Sequence, residues 1–403
     1  MNTSNAASSQ PITQANALEK LARNLLDQPI LGVDTESNSL YAFHERVCLI
    51  QFSTSEADYL VDPLALRDLS PLAAIFASPS IKKIFHASEY DLICLKRDFN
   101  FSFANLFDTM VAARMLGRKE VGLGSLLESE FGIHVDKRHQ RANWGIRPLS
   151  EDLLTYATQD THYLIPLHER FRSELAAKGL LELAEEVFLR ACRVILPNSN
   201  GELRAWWRVA GSHELTPQQA AVLQELNDYR VRTAESMDRP LFKVIGDKTL
   251  SAIAMHCPST LQELQGLPGM TPKQIQRHGR ALLQAVGRGL KATPLHPPRT
   301  TRPDEHYQAR LDALREWRKE KGQQAGVDSD VILPRDLMAT LASRNPLDME
   351  TLAQVLSEFP QRMEKYGAEI LAILVKLDQR EKDRLTRRQR AKGNRKGMST
   401  EKR

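Results

Sequence analysis

Four carboxylates and a phenol in the first half of the chain fall where they could serve phosphodiester chemistry: Asp34 and Glu36 in LGVDTES, Asp91 in FHASEYD, and Tyr156 and Asp160 in YATQD. Asp34 and Glu36 lie two apart at the end of an apolar run that reads as a strand, and the period of two puts both carboxylates on one face. Tyr156 and Asp160 lie four apart on a segment that reads as a helix capped by Ser150, so phenol and carboxylate share one helix face. Asp91 follows the strand-like run IKKIFHA and belongs in the first turn of the next helix. Singly, each has an ordinary explanation: a core tyrosine, a first-turn acid, a chance Asp-x-Glu. Jointly, acids converging on one sheet edge would repel by about 1 kcal/mol or more per close pair, a cost that divalent cations relieve. Two hard cations could clamp the attacking and leaving oxygens of a phosphodiester. An all-carboxylate set suits Mg²⁺ or Mn²⁺, whereas Zn²⁺ usually recruits His or Cys. Tyrosine titrates at about 10, so Tyr156 is better suited to orienting a nucleophile than to taking its proton.

The elements that must position these groups alternate between strands and helices. Residues 15–200 read as one α/β domain with a mixed sheet: an amphipathic helix on Leu18, Leu21 and Leu25, the strand ending in Asp34 and Glu36, then RVCLIQFST and ADYLVDP as neighbouring strands of a hairpin or meander. Pro166 should end or kink the helix that carries Tyr156 and Asp160. The strand signal then stops. Two all-helical blocks follow, at 210–292 and 303–378, separated by a Pro-rich linker at 293–302, and their similar length and pattern suggest a duplicated module. In the first block Thr271 reads as an N-cap with Pro272 at the first helical position, where backbone amides beside Lys273, Arg277 and Arg280 could meet a phosphate; a solvated basic face is the plain alternative. Trp206 and Trp207 beside Arg208 could stack bases, but at a linker they more often pack a domain interface.

Composition narrows the class. The uncharged residues 1–14 read as disordered and fit neither a signal nor a transit peptide, and no stretch approaches the roughly 20 apolar residues of a membrane span, which suggests a cytoplasmic protein. Cys48, Cys94, Cys192 and Cys257 show no metal-binding or disulfide spacing and read as buried free thiols. No coiled-coil heptad appears, so a monomer is expected. The chain carries a net charge of +5, but residues 379–403 form a basic tail on a near-neutral body. Such a tail suits a polyanionic partner; having almost nothing to bury, it would otherwise be solvated and disordered.

In their order, VDTES, HASEYD and Tyr156-x-x-x-Asp160 resemble the motifs of the DEDD 3′-to-5′ exonucleases of the tyrosine subtype, and CLIQFST, LVDPLAL, FDTMVAARMLG, GLGSLLESEFGI and NWGIRPLS narrow the resemblance to bacterial ribonuclease D. The helical blocks resemble HRDC modules, the first more clearly than the second. The resemblance implies an RNase H-like exonuclease domain followed by two HRDC-like domains, acting on RNA 3′ ends of tRNA precursors and other small stable RNAs. It implies two divalent ions per site: Asp34 bridging both, Glu36 and Asp160 on the ion that activates water, Asp91 on the second, and Tyr156 orienting the nucleophile. His86 would contact substrate or buttress its strand. Asn143, where many relatives would carry aspartate, and Pro166 depart from the family pattern without touching the five site positions. DNA as substrate, or a binding protein with structural acids, are the alternatives; the motifs alone do not separate RNA from DNA, because the cations read phosphate.

Overall fold

The computed structural model describes residues 10–196, 205–297 and 305–400. Strands β1 (Ile30–Ser37), β2 (Val47–Ser53) and β3 (Asp58–Val61) form an antiparallel meander; β4 (Lys82–Phe85) and β5 (Leu106–Asp108) join its other side in parallel, in the order β3-β2-β1-β4-β5. Around the sheet run α1 (Ala15–Leu26), α2 (Ala73–Ala77), α3 (Glu89–Phe99), α4 (Thr109–Met115), α5 (Leu123–Phe131), α6 (Glu151–His162), α7 (Leu164–Ala177) and α8 (Leu181–Ala191). Leu18, Leu21 and Leu25 are buried on α1 as their spacing predicts. β2 is buried along its whole length, as a strand paired on both edges and covered by packing should be.

Two expectations need correcting here. The disorder foreseen through residue 14 ends earlier, because Ile12 hydrogen-bonds Leu60 and Asp62 along β3 and so occupies an otherwise open sheet edge; residues 1–9 lie outside the described residues. The helix bearing Tyr156 and Asp160 stops at His162, ahead of Pro166, and Pro166 sits in the first turn of α7, where its missing N–H costs nothing.

The first helical unit comprises α9 (Pro217–Ser236), α10 (Leu241–Val244), α11 (Asp247–His256), α12 (Leu261–Gln265) and α13 (Pro272–Lys291); the second comprises α14 (Glu305–Ala325), α15 (Ser329–Ile332), α16 (Arg335–Arg344), α17 (Met349–Val355) and α18 (Pro360–Thr400). The two repeat each other down to their caps. α11 ends on Cys257 in the left-handed region and α16 on Asn345 in the same region; Thr260 then caps α12 as Asp348 caps α17. In the first unit α13 crosses α9 so closely that a Cβ on Gly289 would lie 2.4 Å from the Val222 Cα. Part of the linker expected at 293–302 lies outside the described residues.

The units differ in how they are buried. The first has its own core, and Trp206 belongs to it rather than to a domain interface, while Trp207 stays exposed. The second has no separate core: Leu314, Ile332, Leu341 and Ile370 belong to one cluster with Phe171 and Phe188 of the α/β unit. Arg114–Asp330, Arg190–Asp336 and Arg193–Glu358 bridge the seam, and beneath them the buried Arg362 donates to Glu186, whose Oε1 also accepts from the Gln361 amide at the start of α18. Removing one member of a buried pair leaves the other charge uncompensated. Arg362→Leu is therefore expected to lower stability in urea by roughly 3–5 kcal/mol, with part of the loss recovered by adding Glu186→Gln, which removes the stranded charge but keeps an acceptor for the amides. An unchanged urea midpoint in Arg362→Leu would show that the seam does not stabilise the fold.

Beyond Asp378 the backbone continues as helix to Thr400, where the sequence suggested disorder. Arg, Lys, Gln and Ala carry good helix propensity, and extending a formed helix needs no new nucleus. Of the four cysteines, all free, Cys48 and Cys94 are buried, but Cys192 and Cys257 are only half-buried.

Candidate active site

Asp34 and Glu36 project from the same face of β1, and α6 lies against that face. The packing is close: a Cβ on Gly32 would come within 2.8 Å of the Thr161 carbonyl, so only glycine lets α6 approach. The result brings Asp160 to the strand pair. Asp34, Glu36 and Asp160 each offer a carboxylate oxygen, and the three oxygens lie within 4.8 Å of one another. With Tyr156 and His86 they line a cavity of about 500 Å³.

Asp91 occupies a different position. It is buried in the first turn of α3 and accepts a hydrogen bond from the Thr35 hydroxyl, and it neither joins the close triad nor lines the cavity. The parity of the strand explains this: Thr35 points away from the face of its two acidic neighbours. Asp91 still acts on the site through its charge. Burial, then the Asp34 charge, lifts its pKa well above the ordinary carboxylate range, and it is one of the charges raising Glu36.

Every carboxylate of the cluster is pushed toward its neutral form. Burial first, and Asp160 next, push the Asp34 pKa well up; burial, Asp34 and Asp160 do the same to Glu36. Burial raises Asp160 to about 7 despite a hydrogen bond from the Tyr156 phenol that pulls the other way. Burial and the Asp160, Glu36 and Asp34 charges push the Tyr156 pKa upward, so the phenol keeps its proton and donates. The phenol ring packs beside Trp144, itself 1% exposed. Trp144 is fixed in turn by Arg147, which bonds the Trp144 and Cys48 carbonyls and pairs with Asp62. Asn143 accepts from the Gly145 amide in the same turn, clear of the acidic cluster.

This donor set fits a hard divalent cation. Its oxygens converge, they are all carboxylates, and the Asp160 charge raises Asp34 while Asp34 and Asp160 both raise Glu36, so a cation binding among them relieves repulsion already present.

Several residues that shape the site were not anticipated. Asp108 caps α4 by accepting from Met110 and Val111, and with its two oxygens also accepts from Ala87 at 3.1 Å and Ser88 at 2.7 Å. That holds Ala87 at φ 63°, a left-handed conformation costly for alanine, and sets the turn between His86 and Asp91. Gln51 pairs with Asp34 across the sheet, is fully buried, and has both amide atoms without a partner. A lone polar residue in CLIQFS was the available signal. Arg141 lines the cavity at its exposed rim, and its carbonyl accepts from the Tyr41 hydroxyl at 2.6 Å. The loop carrying Tyr41 is where the first helical unit docks: Asp238 accepts from the Phe43 and His44 amides at 3.0 Å each, and the Lys243 ammonium lies 3.9 Å from the Tyr41 ring centre. Lys273, Arg277 and Arg280 are exposed on α13 and line no part of the cavity; Thr271 caps that helix as its sequence suggested.

Comparison with known proteins points the same way. The sequence profile of a 3′-5′ exonuclease family matches residues 9–176, and that of the HRDC domain matches 219–286 and 308–374. Ribonuclease D of Escherichia coli is 33% identical over 282 residues, covering 69% of this chain and 74% of that protein. The exosome complex exonuclease RRP6 of Saccharomyces cerevisiae is 28% identical over 295 residues, covering 70% of this chain and 40% of that protein. Among solved structures, E. coli RNase D, described as an exoribonuclease involved in structured RNA processing, superposes with a TM-score of 0.63 at 27% identity, covering 89% of this chain and all of that one.

Proposed function

Because the chain belongs to the ribonuclease D family of 3′-to-5′ exonucleases, we propose that it shortens RNA from the 3′ end by two-cation phosphodiester hydrolysis, releasing nucleoside 5′-monophosphates. The protein is a 3′-to-5′ exoribonuclease. The observation that carries the mechanism is the convergence of Asp34, Glu36 and Asp160 at the end of β1, with Asp91 adjoining. In this reading Asp34, Glu36 and Asp160 would hold one divalent cation, and Asp34 and Asp91 would hold the second. When bound, the pair supplies Lewis-acid stabilisation of the charge that develops on the phosphoryl group. Mg²⁺ or Mn²⁺ is the ion these oxygens select.

The protein's own groups do the rest. Tyr156, protonated and packed on Trp144, donates a hydrogen bond and orients the nucleophile; it does not take its proton. The Arg141 side chain at the rim offers positive charge to the RNA backbone as the 3′ end enters. The exposed Lys273, Arg277 and Arg280 on the first helical unit hold the body of the RNA by its phosphates. Precursor tRNA and other small stable RNAs with single-stranded 3′ ends are the substrates we propose, for a monomer working in the cytoplasm. No helix among the described residues is long and apolar enough to cross a membrane.

Digestion of a 3′-extended precursor tRNA tests this reading. With Mg²⁺ or Mn²⁺ the product should shorten by single nucleotides and yield 5′-monophosphates, and EDTA should stop the reaction. Internal cleavage, trimming that survives EDTA, or equal trimming of a matched DNA strand would refute the corresponding part of the proposal.

A further inference from the structure

His86 lines the same cavity as the three carboxylates, and the hydrogen bonds behind it determine what its exposed edge can do. Nδ1 lies 2.9 Å from the Thr109 hydroxyl, and that hydroxyl donates to the Phe85 carbonyl at 3.1 Å. A hydroxyl has one proton to give, and the hydrogen bond to Phe85 directs the Thr109 proton to that carbonyl. With that proton on Phe85, Nδ1 is the donor toward Thr109, and in the neutral ring Nε2 carries the lone pair. Burial depresses the imidazole pKa, with the Asp108 charge opposing, which favours that neutral ring.

An acceptor at this point in a nuclease cavity is selective. Phosphate oxygens and base carbonyls have no proton to offer it, and base donors change from one base to the next, amino groups being absent from uracil and the Watson–Crick ring N–H from adenine and cytosine. A ribose hydroxyl is present on every RNA nucleotide. We propose that His86 reads the sugar of the 3′-terminal nucleotide, its Nε2 accepting a hydrogen bond from a ribose hydroxyl. Thr109 acts as the positioning residue that fixes the tautomer. The proposal rests on the exoribonuclease reading; where the hydroxyl is the 2′-OH, which DNA lacks, it adds a physical basis for preferring RNA that cation ligands cannot provide.

The test uses full-length protein and a 5′-labelled oligouridylate ending in ribose, 2′-deoxyribose or 3′-deoxyribose, with single-turnover rates for removal of the last nucleotide. The parent protein should be slowed about tenfold by loss of the hydroxyl that His86 accepts from. His86→Phe should slow the ribose substrate by a similar factor and leave the matching deoxy substrate unchanged, so that discrimination disappears; which deoxy substrate behaves this way identifies the hydroxyl. His86→Gln, which retains an acceptor, should keep part of the discrimination, and Thr109→Val should weaken it. If His86→Phe slowed all three substrates equally, or left discrimination intact, the assignment would be overturned. Independently of any variant's folding, the nitrogen-15 spectrum of labelled parent protein should show His86 protonated on Nδ1; a lone pair there would also overturn it. Failure of the parent protein to trim any RNA would instead sink the exoribonuclease reading itself.

Discussion

Asp34→Asn is expected to reduce RNA trimming by roughly 10³-fold or more while making the cation-free protein harder to unfold. Both effects have one origin. Asp34 is the carboxylate that raises the pKa of Glu36 and of Asp91, and its own pKa is raised by burial and by Asp160. The amide keeps the shape and removes the charge, so the ligand proposed to be shared between two cations is lost together with the charge that raises Glu36 and Asp91. A gain on the order of 1–3 kcal/mol is expected at neutral pH in EDTA. Trimming rates with saturating Mg²⁺ and urea midpoints in EDTA measure the two sides. An Asp34→Asn protein that trims at the parent rate would remove the mechanism, and one less stable than the parent would show that the cluster is not held against repulsion.

The second large effect is on pH and cations together. Asp160 titrates at about 7 in the folded chain, against about 3.9 for an unperturbed aspartate. Between those values the folded protein retains a proton that the unfolded chain has released, so stability falls as pH rises through this window. Below about 4 both states are protonated and the penalty is absent; above about 7 it is complete, on the order of 4 kcal/mol from Asp160 alone, and Asp34, Glu36 and Asp91 shift in the same direction. Cations bind the ionised cluster, so the stability difference between Mg²⁺ and EDTA should widen from pH 5 to pH 8. Urea unfolding across that range in both conditions decides it. A difference that stays constant with pH, or no effect of Mg²⁺, would contradict the carboxylate cluster as the binding site.

The site was legible in sequence to the extent that regular geometry governs it. The strand period placed Asp34 with Glu36, the helix period placed Tyr156 with Asp160, and Ser150 capped α6 as foreseen. Asp91 shows the limit of that reasoning. Its helix followed from the sequence, but its burial and its distance from the triad depend on how α3 leans on Thr35, a tertiary relation that no local period encodes. Asp108 and Thr109 were missed for a similar reason: FDTM reads as an ordinary helix cap, and only the fold lays the 86–88 turn across the same carboxylate. The helical blocks read correctly as duplicates in pattern, yet nothing in their spacing showed that one would keep its core to itself while the other merged with the nuclease. That difference lies in which apolar faces find each other, and Arg362, buried against Glu186, reads in isolation as a surface residue of a basic helix.

The merged core makes the two repeats unequal in expendability. Excising the first would uncover the Tyr41 loop, where two amides bond Asp238, an ammonium lies over a ring and Phe43 packs on the unit's core. Excising the second would strip Phe171 and Phe188 of neighbours and strand Glu186 in a nonpolar wound. A shortened version ending after the first repeat is thus a worse minimal nuclease than one with the first repeat deleted and the second retained, although the linear order of the gene suggests the opposite.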